Sequence, residues 1–310
     1  MNLQNPKKFK MMVDQAHEVA LNVLRPISRK YDKAEHAYPK ELDMLASLID
    51  GMNEGGEGIN AGAAVGKRGE TESGNKNGNN MSTALGIIEM CYGDTGLLLS
   101  MPRQGLGNSA IAAVANDEQL ERFKGTWAAM AITEPGCGSD SAAIRTTATQ
   151  DGDEYILNGE KIFVTSGDRA DSVVVWATLD KKLGRAAIKS FVVPKGTPGM
   201  KVERLEHKLG IKASDTAVIS FIDCRVPAAN LLGNPEIDVA KGFAGVMETF
   251  DNTRPLVAAM AIGCAKASLE RIKEIFKDQL DPDYKTPYLQ TSNLAAQIYR
   301  MEAEWEAARM

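Results

Sequence analysis

The hydrophobic period of this 310-residue chain changes twice, and that restricts its fold more than any other feature. Up to about residue 125, apolar residues recur at spacings of three and four, the pattern of a helix with one buried face. Met12, Val13, Ala16, Val19, Ala20 and Val23 form one such stripe between Phe9 and Arg25. Pro26 ends or kinks that helix, and Pro39 opens a second in which Leu42, Leu45, Leu48 and Ile49 share a face. Near Trp127 the period shifts towards two, the signature of strands. After Asp238 it is helical again, over Ala258 to Phe276 and Leu294 to Met310. The last helix carries no stop signal, so the chain is expected to be a fragment or to be completed elsewhere. This order predicts an α+β fold. It has an N-terminal helical domain over 1–126, a middle antiparallel β domain over 127–233, and the start of a C-terminal helical bundle over 234–310.

Within the β segment, Tyr155-Ile-Leu157, Asn158-Gly159 and Ile162 to Thr165 predict a hairpin, because Asn-Gly suits its tight turn. Asp171 to Leu179, Ser190 to Val193 and Val218 to Ile222 predict further strands, punctuated by Pro194, Gly196, Pro198 and Gly199. In the helical part, Glu54 to Asn80 is rich in Gly and Asn and predicts a flexible insertion, since it cannot offset the entropy of ordering. Met81 to Met101 returns to helical texture, and Asp117, Glu118 and Glu121 open a short amphipathic stretch.

Several function classes are disfavoured. The chain has 36 Lys and Arg against 41 Asp and Glu, a net charge of −5, which argues against nucleic acid as main partner. No apolar run of ~18 residues predicts a membrane span, and the lysine-bearing N-terminus lacks the apolar core of a secretory signal. Cys91, Cys137, Cys224 and Cys264 are scattered without a C-x-x-C pair, which predicts reduced thiols and a cytoplasmic protein. His17, His36 and His207 lie far apart with no ligand spacing, so no metal is expected. A G-x-S-x-G nucleophile elbow is missing.

Three segments carry polar chemistry. Thr133 to Asp140 (T-E-P-G-C-G-S-D) has glycines that let backbone N–H groups approach an anion and a Ser139 hydroxyl that can donate to a phosphate; a tight structural turn is the alternative. Asn158 to Gly167 places an aromatic, Phe163, beside a hydroxyl, Thr165, which together can cover and hydrogen-bond a planar ring; the alternative is a strand ending in a turn. Phe250-Asp-Asn-Thr-Arg254-Pro255 stands at the mouth of a helix, where Asp251 and Arg254 either pair on the surface or clamp a polar ligand.

In this order and spacing the three segments resemble the acyl-CoA dehydrogenase family. The resemblance continues through Leu209 to Thr216, Arg225 to Gly233 and Arg300 to Arg309, and covers most of the chain after Met81. It implies N-terminal helices, a middle antiparallel β-barrel and a C-terminal helical bundle. It also implies FAD as cofactor, an acyl-CoA as substrate and a trans-2-enoyl-CoA as product, in fatty acid metabolism. In the family a carboxylate removes the α-proton, the β-hydride passes to flavin N5, and electrons leave to an electron-transferring flavoprotein. By motif position Met130, Ile132, Thr133, Gly138, Ser139, Phe163, Val164 and Thr165 are expected at the FAD. Thr133 would serve the pyrimidine edge, Phe163 would shield the ring and Thr165 would bond N5. Ser139, Asp251, Thr253 and Arg254 are expected at the acyl-CoA, and Tyr92 to Ser100 along the acyl pocket, with Arg103 either a surface arginine or a reader of a polar acyl tail.

Two departures from the family stand out. Its usual catalytic glutamate is expected beyond Met310, and the alternative position holds Thr253, so the catalytic residue is unassigned; Glu248 reads as a solvated helix residue. Where the family carries an arginine that reaches a neighbour's FAD, this chain has Asp281, and Lys285 replaces a glycine. An Asp facing a pyrophosphate repels it. Two explanations follow: a heteromer in which a paralogous subunit supplies the arginine, which is preferred, or FAD contacts that have drifted so that binding is weak; a homo-oligomer is the other assembly expected. A non-catalytic scaffold subunit and an acyl-CoA oxidase are the other readings.

Overall fold

The computed structural model describes residues 7–54, 79–103, 105–237, 244–287 and 290–310. Residues 55–78 of the expected flexible insertion lie outside the described residues, as does the side chain of Glu248.

The N-terminal stripe folds as α1 (Lys10–Val19), a π-helical turn (Ala20–Leu24) and α2 (Arg25–Lys33). Pro26 therefore does not end the helix. A proline lacks its N–H and crowds the carbonyl one turn back. The π turn absorbs both effects, and the Arg25 N–H reaches back five residues to Ala20 O. α3 (Glu41–Glu54) follows Pro39 as expected, with Leu42 and Leu45 buried, but Leu48 is exposed and not part of that face. The stretch from Met81 divides into α4 (Asn79–Gly93) and α5 (Thr95–Leu99) at Asp94, whose carboxylate caps α5 by accepting from Leu97 N at 2.8 Å. α6 (Leu106–Val114) and α7 (Asp117–Arg122) complete this part, the latter opened by an Asn116–Gln119 capping box.

The C-terminal segment forms α8 (Ala244–Ile275) and α9 (Asn293–Arg309). The helix α8 starts well before its predicted onset and runs through Pro255. The third polar segment is thus inside a long helix, not at its mouth. Helices α4 and α8 cross so closely that a Cβ built on Gly263 would stand 2.2 Å from the carbonyl oxygen of Ile88.

The β segment corrects the expectation of an antiparallel barrel. It is a curled seven-stranded mixed sheet in the order β1-β4-β2-β3-β7-β6, with β5 pairing β4 off this path. Its strands are β1 (Ala128–Ala131), β2 (Thr147–Asp151), β3 (Glu154–Thr165), β4 (Ser172–Thr178), β5 (Ile188–Pro194), β6 (Met200–Leu205) and β7 (Thr216–Pro227). β1 runs parallel to β4 because the chain between them crosses over and does not turn back in a hairpin. β4 accordingly reads as an unbroken apolar run. Val173, Val175 and Ala177 enter the sheet's inner core with Phe191, Leu157 and Phe221, while Val174 and Trp176 pack with Ile111, Phe123 and Val192 on the other face.

The hairpin predicted at Asn158-Gly159 is also corrected. β3 runs straight through it with a bulge against β7, and the reversal comes earlier, at Gly152-Asp153 between Asp151 and Glu154. The Asn158 amide holds Asp223, accepting from its N–H at 2.9 Å and donating to its carboxylate at 3.2 Å. Gly159 lacks the Cβ that would sit 2.3 Å from Thr146 Oγ1. Asn-Gly here serves close approach between strands.

Three-dimensional neighbours also revise the reading of the histidines. His36 and His207 are far apart in sequence, but their rings stand 5.5 Å apart in the fold. Among the described residues no helix is long and apolar enough to cross a membrane.

Candidate cofactor and acyl-CoA site

The first two polar segments meet where β1 ends. After Ala131 the chain turns tightly. Glu134 N–H donates to Cys137 O at 2.9 Å and Cys137 N–H returns to Glu134 O at 3.1 Å, which leaves Pro135, Gly136, Gly138 and Ser139 exposed. A Cβ built on Gly136 would meet nothing within 4 Å, so the turn fronts open space.

β3 reaches this turn by changing partners. Lys161 pairs with Ile219 of β7, then Ile162 N–H donates to Thr133 O at 2.9 Å, and β7 is regained at Val164 and Thr165. The register shift between Lys161 and Val164 is a bulge that re-aims one side chain. That side chain is Phe163, held at φ 59° with its ring well exposed. A left-handed aromatic residue is a strained one, and such strain collects at functional sites.

A buried ion pair fastens the two segments beneath this surface. Lys161 is fully buried; its Nζ donates to Glu134 Oε1 at 2.8 Å and to Ile132 O at 3.0 Å. The Glu134 carboxylate also accepts from Arg145 N at 2.7 Å, Thr146 N at 2.9 Å and Thr146 Oγ1 at 2.6 Å. Burial pushes the Glu134 carboxyl up, but the Lys161 charge and these hydrogen bonds outweigh it and hold Glu134 below the usual glutamate range. Burial in turn pushes Lys161 down, against the pull of Glu134. Neither residue was singled out from sequence, although a signal existed. Lys161 shares the parity of Tyr155 and Leu157, the inward face of β3, so period two marks it as a buried lysine that needs a partner.

The sequence-predicted residues divide by orientation. Val164 and Ile132 are core side chains and can offer only backbone, and Met130 packs on the same cluster as Ile132. Thr133 and Thr165 are partly exposed, and Ser139 and Gly138 are exposed. The hydroxyls of Thr133, Ser139 and Thr165 have no hydrogen-bond partner among the described residues. Three uncommitted hydroxyls, an open glycine turn and a presented aromatic fit a planar ring joined to a phosphate chain, as in a flavin nucleotide.

The third segment joins only in part. Phe250 packs on the cluster that contains Ile132 and so places α8 beside the turn. Arg254 and Asp251 are exposed and pair with each other at 3.5 Å, the surface ion pair weighed from sequence, and the guanidinium lies over the Phe250 ring. Thr253 is buried and returns its hydroxyl to Phe250 O at 3.4 Å, a helix contact and not a base's position. Along the expected acyl pocket Leu97 and Leu98 are buried, and Ser100 Oγ bonds Gly96 O and Ala213 O.

Asp281 has a role that sequence reasoning missed. Its carboxylate accepts from the N–H groups of Asp283, Lys285 and Thr286 and from the Thr286 hydroxyl, all at 2.6–3.0 Å. The Thr286 hydroxyl, and then these backbone donors, hold it below the usual aspartate range. The residue closes its own loop. Its oxygens are committed to that loop, and the carboxylate keeps its charge.

Comparison with known proteins agrees with this geometry. Residues 129–224 match the acyl-CoA dehydrogenase middle domain and residues 240–310 the acyl-CoA dehydrogenase C-terminal domain. The short-chain-specific acyl-CoA dehydrogenase of Megasphaera elsdenii is 33% identical over 303 residues, which cover 95% of this chain and 74% of that protein. Butyryl-CoA dehydrogenase from the same organism superposes with a TM-score of 0.78 at 29% identity, over 100% of this chain and 78% of that one. A chain of the structure described as the electron transferring flavoprotein of Acidaminococcus fermentans superposes with a TM-score of 0.74 at 31% identity, over 100% of this chain and 78% of that one. The chain spans from 52% to 74% of the length of such curated relatives. With its paired motifs, its mixed sheet and these relatives, the chain belongs to the acyl-CoA dehydrogenase family.

Proposed function

We propose that this protein dehydrogenates an acyl-CoA between its α and β carbons, with FAD as cofactor and an electron-transferring flavoprotein as acceptor. The observation that carries the proposal is the junction of the two motif segments. Lys161 with Glu134, and Ile162 with Thr133, fix an open glycine turn, three uncommitted hydroxyls and the presented Phe163 in one place. When bound there, FAD supplies the two-electron acceptor that the reaction needs.

Under this proposal the exposed backbone from Gly136 to Ser139 binds the pyrophosphate, as an N–H-lined turn suits an anion. Thr133 and Thr165 orient the ring by hydrogen bonds. Phe163 covers one of its faces and excludes water from the reacting carbons. Donors fixed in advance at positions where charge develops lower the barrier without reorganisation. Thr253 does not take the α-proton, because its hydroxyl faces its own helix. Leu97 and Leu98 lie along the element proposed to border the acyl chain.

Relatives named short-chain-specific favour a short acyl group as substrate. The resemblance to the electron transferring flavoprotein structure supports the proposed acceptor. Asp281 remains an ionised carboxylate within its loop, so a paralogous subunit that supplies the missing arginine stays the preferred assembly and a homo-oligomer the other. The test is product analysis after incubation of the protein with butyryl-CoA and an artificial electron acceptor. Formation of trans-2-enoyl-CoA supports the proposal. No product from any acyl-CoA, with FAD demonstrably bound, overturns it.

A further inference from the structure

A cluster outside the proposed flavin site has the chemistry of a metal centre. Glu35 and His36 follow the C-terminus of α2, and His207 follows β6. One ligand atom from each lies within 4.8 Å of the others. Glu35 is placed by two bonds: Oε1 accepts from Lys208 N at 2.9 Å and Oε2 meets His207 Nδ1 at 3.0 Å. His36 is held by its backbone at φ 68°, where its carbonyl accepts from Arg169 at 3.2 Å. Arg169 in turn is clamped to Asp215.

The second observation is the His36 ring itself. Both of its nitrogens are buried, and neither has a hydrogen-bond partner among the described residues. Two buried imidazole nitrogens without partners cost free energy, and backbone strain at this half-buried residue adds to that cost. A metal ion coordinated by one nitrogen relieves part of the cost. The neighbouring ammonium of Lys208 is engaged elsewhere, on Ser214 O at 2.6 Å and Thr216 Oγ1 at 2.9 Å.

We propose that Glu35, His36 and His207 bind a divalent transition-metal ion, with zinc the best match to two imidazoles and a carboxylate. Tetrahedral zinc sites place their ligand atoms about 3.4 Å apart. The cluster therefore tightens on binding, and His207, whose side chain is 85% exposed, is free to move in. The fourth position is open to water. The ion ties the end of α2 to the connection between β6 and β7, and so joins the helical layer to the sheet at a point where Arg169 already bridges them.

The test is calorimetric titration of the chelator-treated protein with zinc chloride, with magnesium chloride as control and a melting curve as second readout. His207→Ala removes an exposed ligand, and His36→Asn keeps a residue that tolerates the left-handed backbone. The expected result is one zinc per chain and a raised melting temperature, with affinity reduced about tenfold or more in both variants. No stoichiometric zinc uptake, or uptake that is unchanged in both variants, overturns the proposal.

Discussion

Replacing Lys161 with Met probes the joint on which the candidate site rests. The variant keeps the length and much of the volume of the side chain but removes the charge. Glu134, 6% exposed, then loses its counter-ion while keeping the bonds from Arg145 N, Thr146 N and Thr146 Oγ1. Ile132 O loses its Lys161 donor. Breaking one partner of a buried ion pair costs about 3–5 kcal/mol, and a stranded carbonyl about 1–3 kcal/mol. The better burial of a methionine than of an ammonium, and the three bonds that remain, offset part of this. The expected net loss is about 3–5 kcal/mol in denaturant unfolding. Flavin content should fall with it, since the Ile162–Thr133 backbone bond is then left to hold Thr133 and Phe163 together without the ion pair beneath them. Glu134→Gln in the Lys161→Met background should restore part of the loss, with a coupling of about 1–3 kcal/mol, because the uncompensated charge is gone. A single-variant loss below about 1 kcal/mol, or strictly additive effects, would refute the reasoning.

Other outcomes follow from the same structure. The Glu41 carboxyl is held at about 2 by hydrogen bonds from Lys30 at 2.7 Å and Tyr31 at 2.5 Å. A depressed carboxylate stabilises the fold above its unfolded pKa, and that stability disappears as pH falls through the folded one. Glu41→Gln should therefore be less stable than the parent at neutral pH, and urea midpoints of the two should converge between pH ~4.5 and ~2. Burial pushes the Cys91 thiol up to about 12 and the Cys224 thiol up to about 11, whereas Cys264 is exposed. Ellman's reagent should label Cys264 in the native protein, reach Cys91 and Cys224 only on unfolding, and lose its fastest phase in Cys264→Ser. Gly263→Ala should lower stability by about 1–3 kcal/mol in a thermal melt, because the new Cβ must displace Ile88 O and part α4 from α8.

Much of this was legible in the sequence where one physical rule acts locally. The order of helices, strands and helices follows from hydrophobic period, and the paired motifs are legible because residue type and spacing carry the chemistry. Asn158-Gly159 misled because the same dipeptide that permits a turn also permits a bulge, and only the approach of Thr146 decides between them. The antiparallel expectation holds where β2 meets β3, β3 meets β7, β4 meets β5 and β6 meets β7, and fails where β4 meets β1 and β2, because strand direction there depends on the crossover after β1, which no local pattern encodes. At Pro26 the sequence left an end or a kink open, and the π turn that accommodates the proline is a property of the whole helix. Asp281 was read by position as a charge facing outward, whereas its loop folds four donors onto it. The cluster of Glu35, His36 and His207 was out of reach, since it arises only when the end of α2 docks on the sheet.

The central claim is that the joined turn and bulged strand hold a flavin which an acyl-CoA reduces. Its most direct test is the visible spectrum of the purified protein, recorded anaerobically before and after addition of butyryl-CoA. The account predicts an oxidised flavin band in stoichiometric amount that bleaches on addition, and a weaker band in Lys161→Met. Protein that takes up no FAD when reconstituted, or bound flavin that no acyl-CoA bleaches, would contradict it.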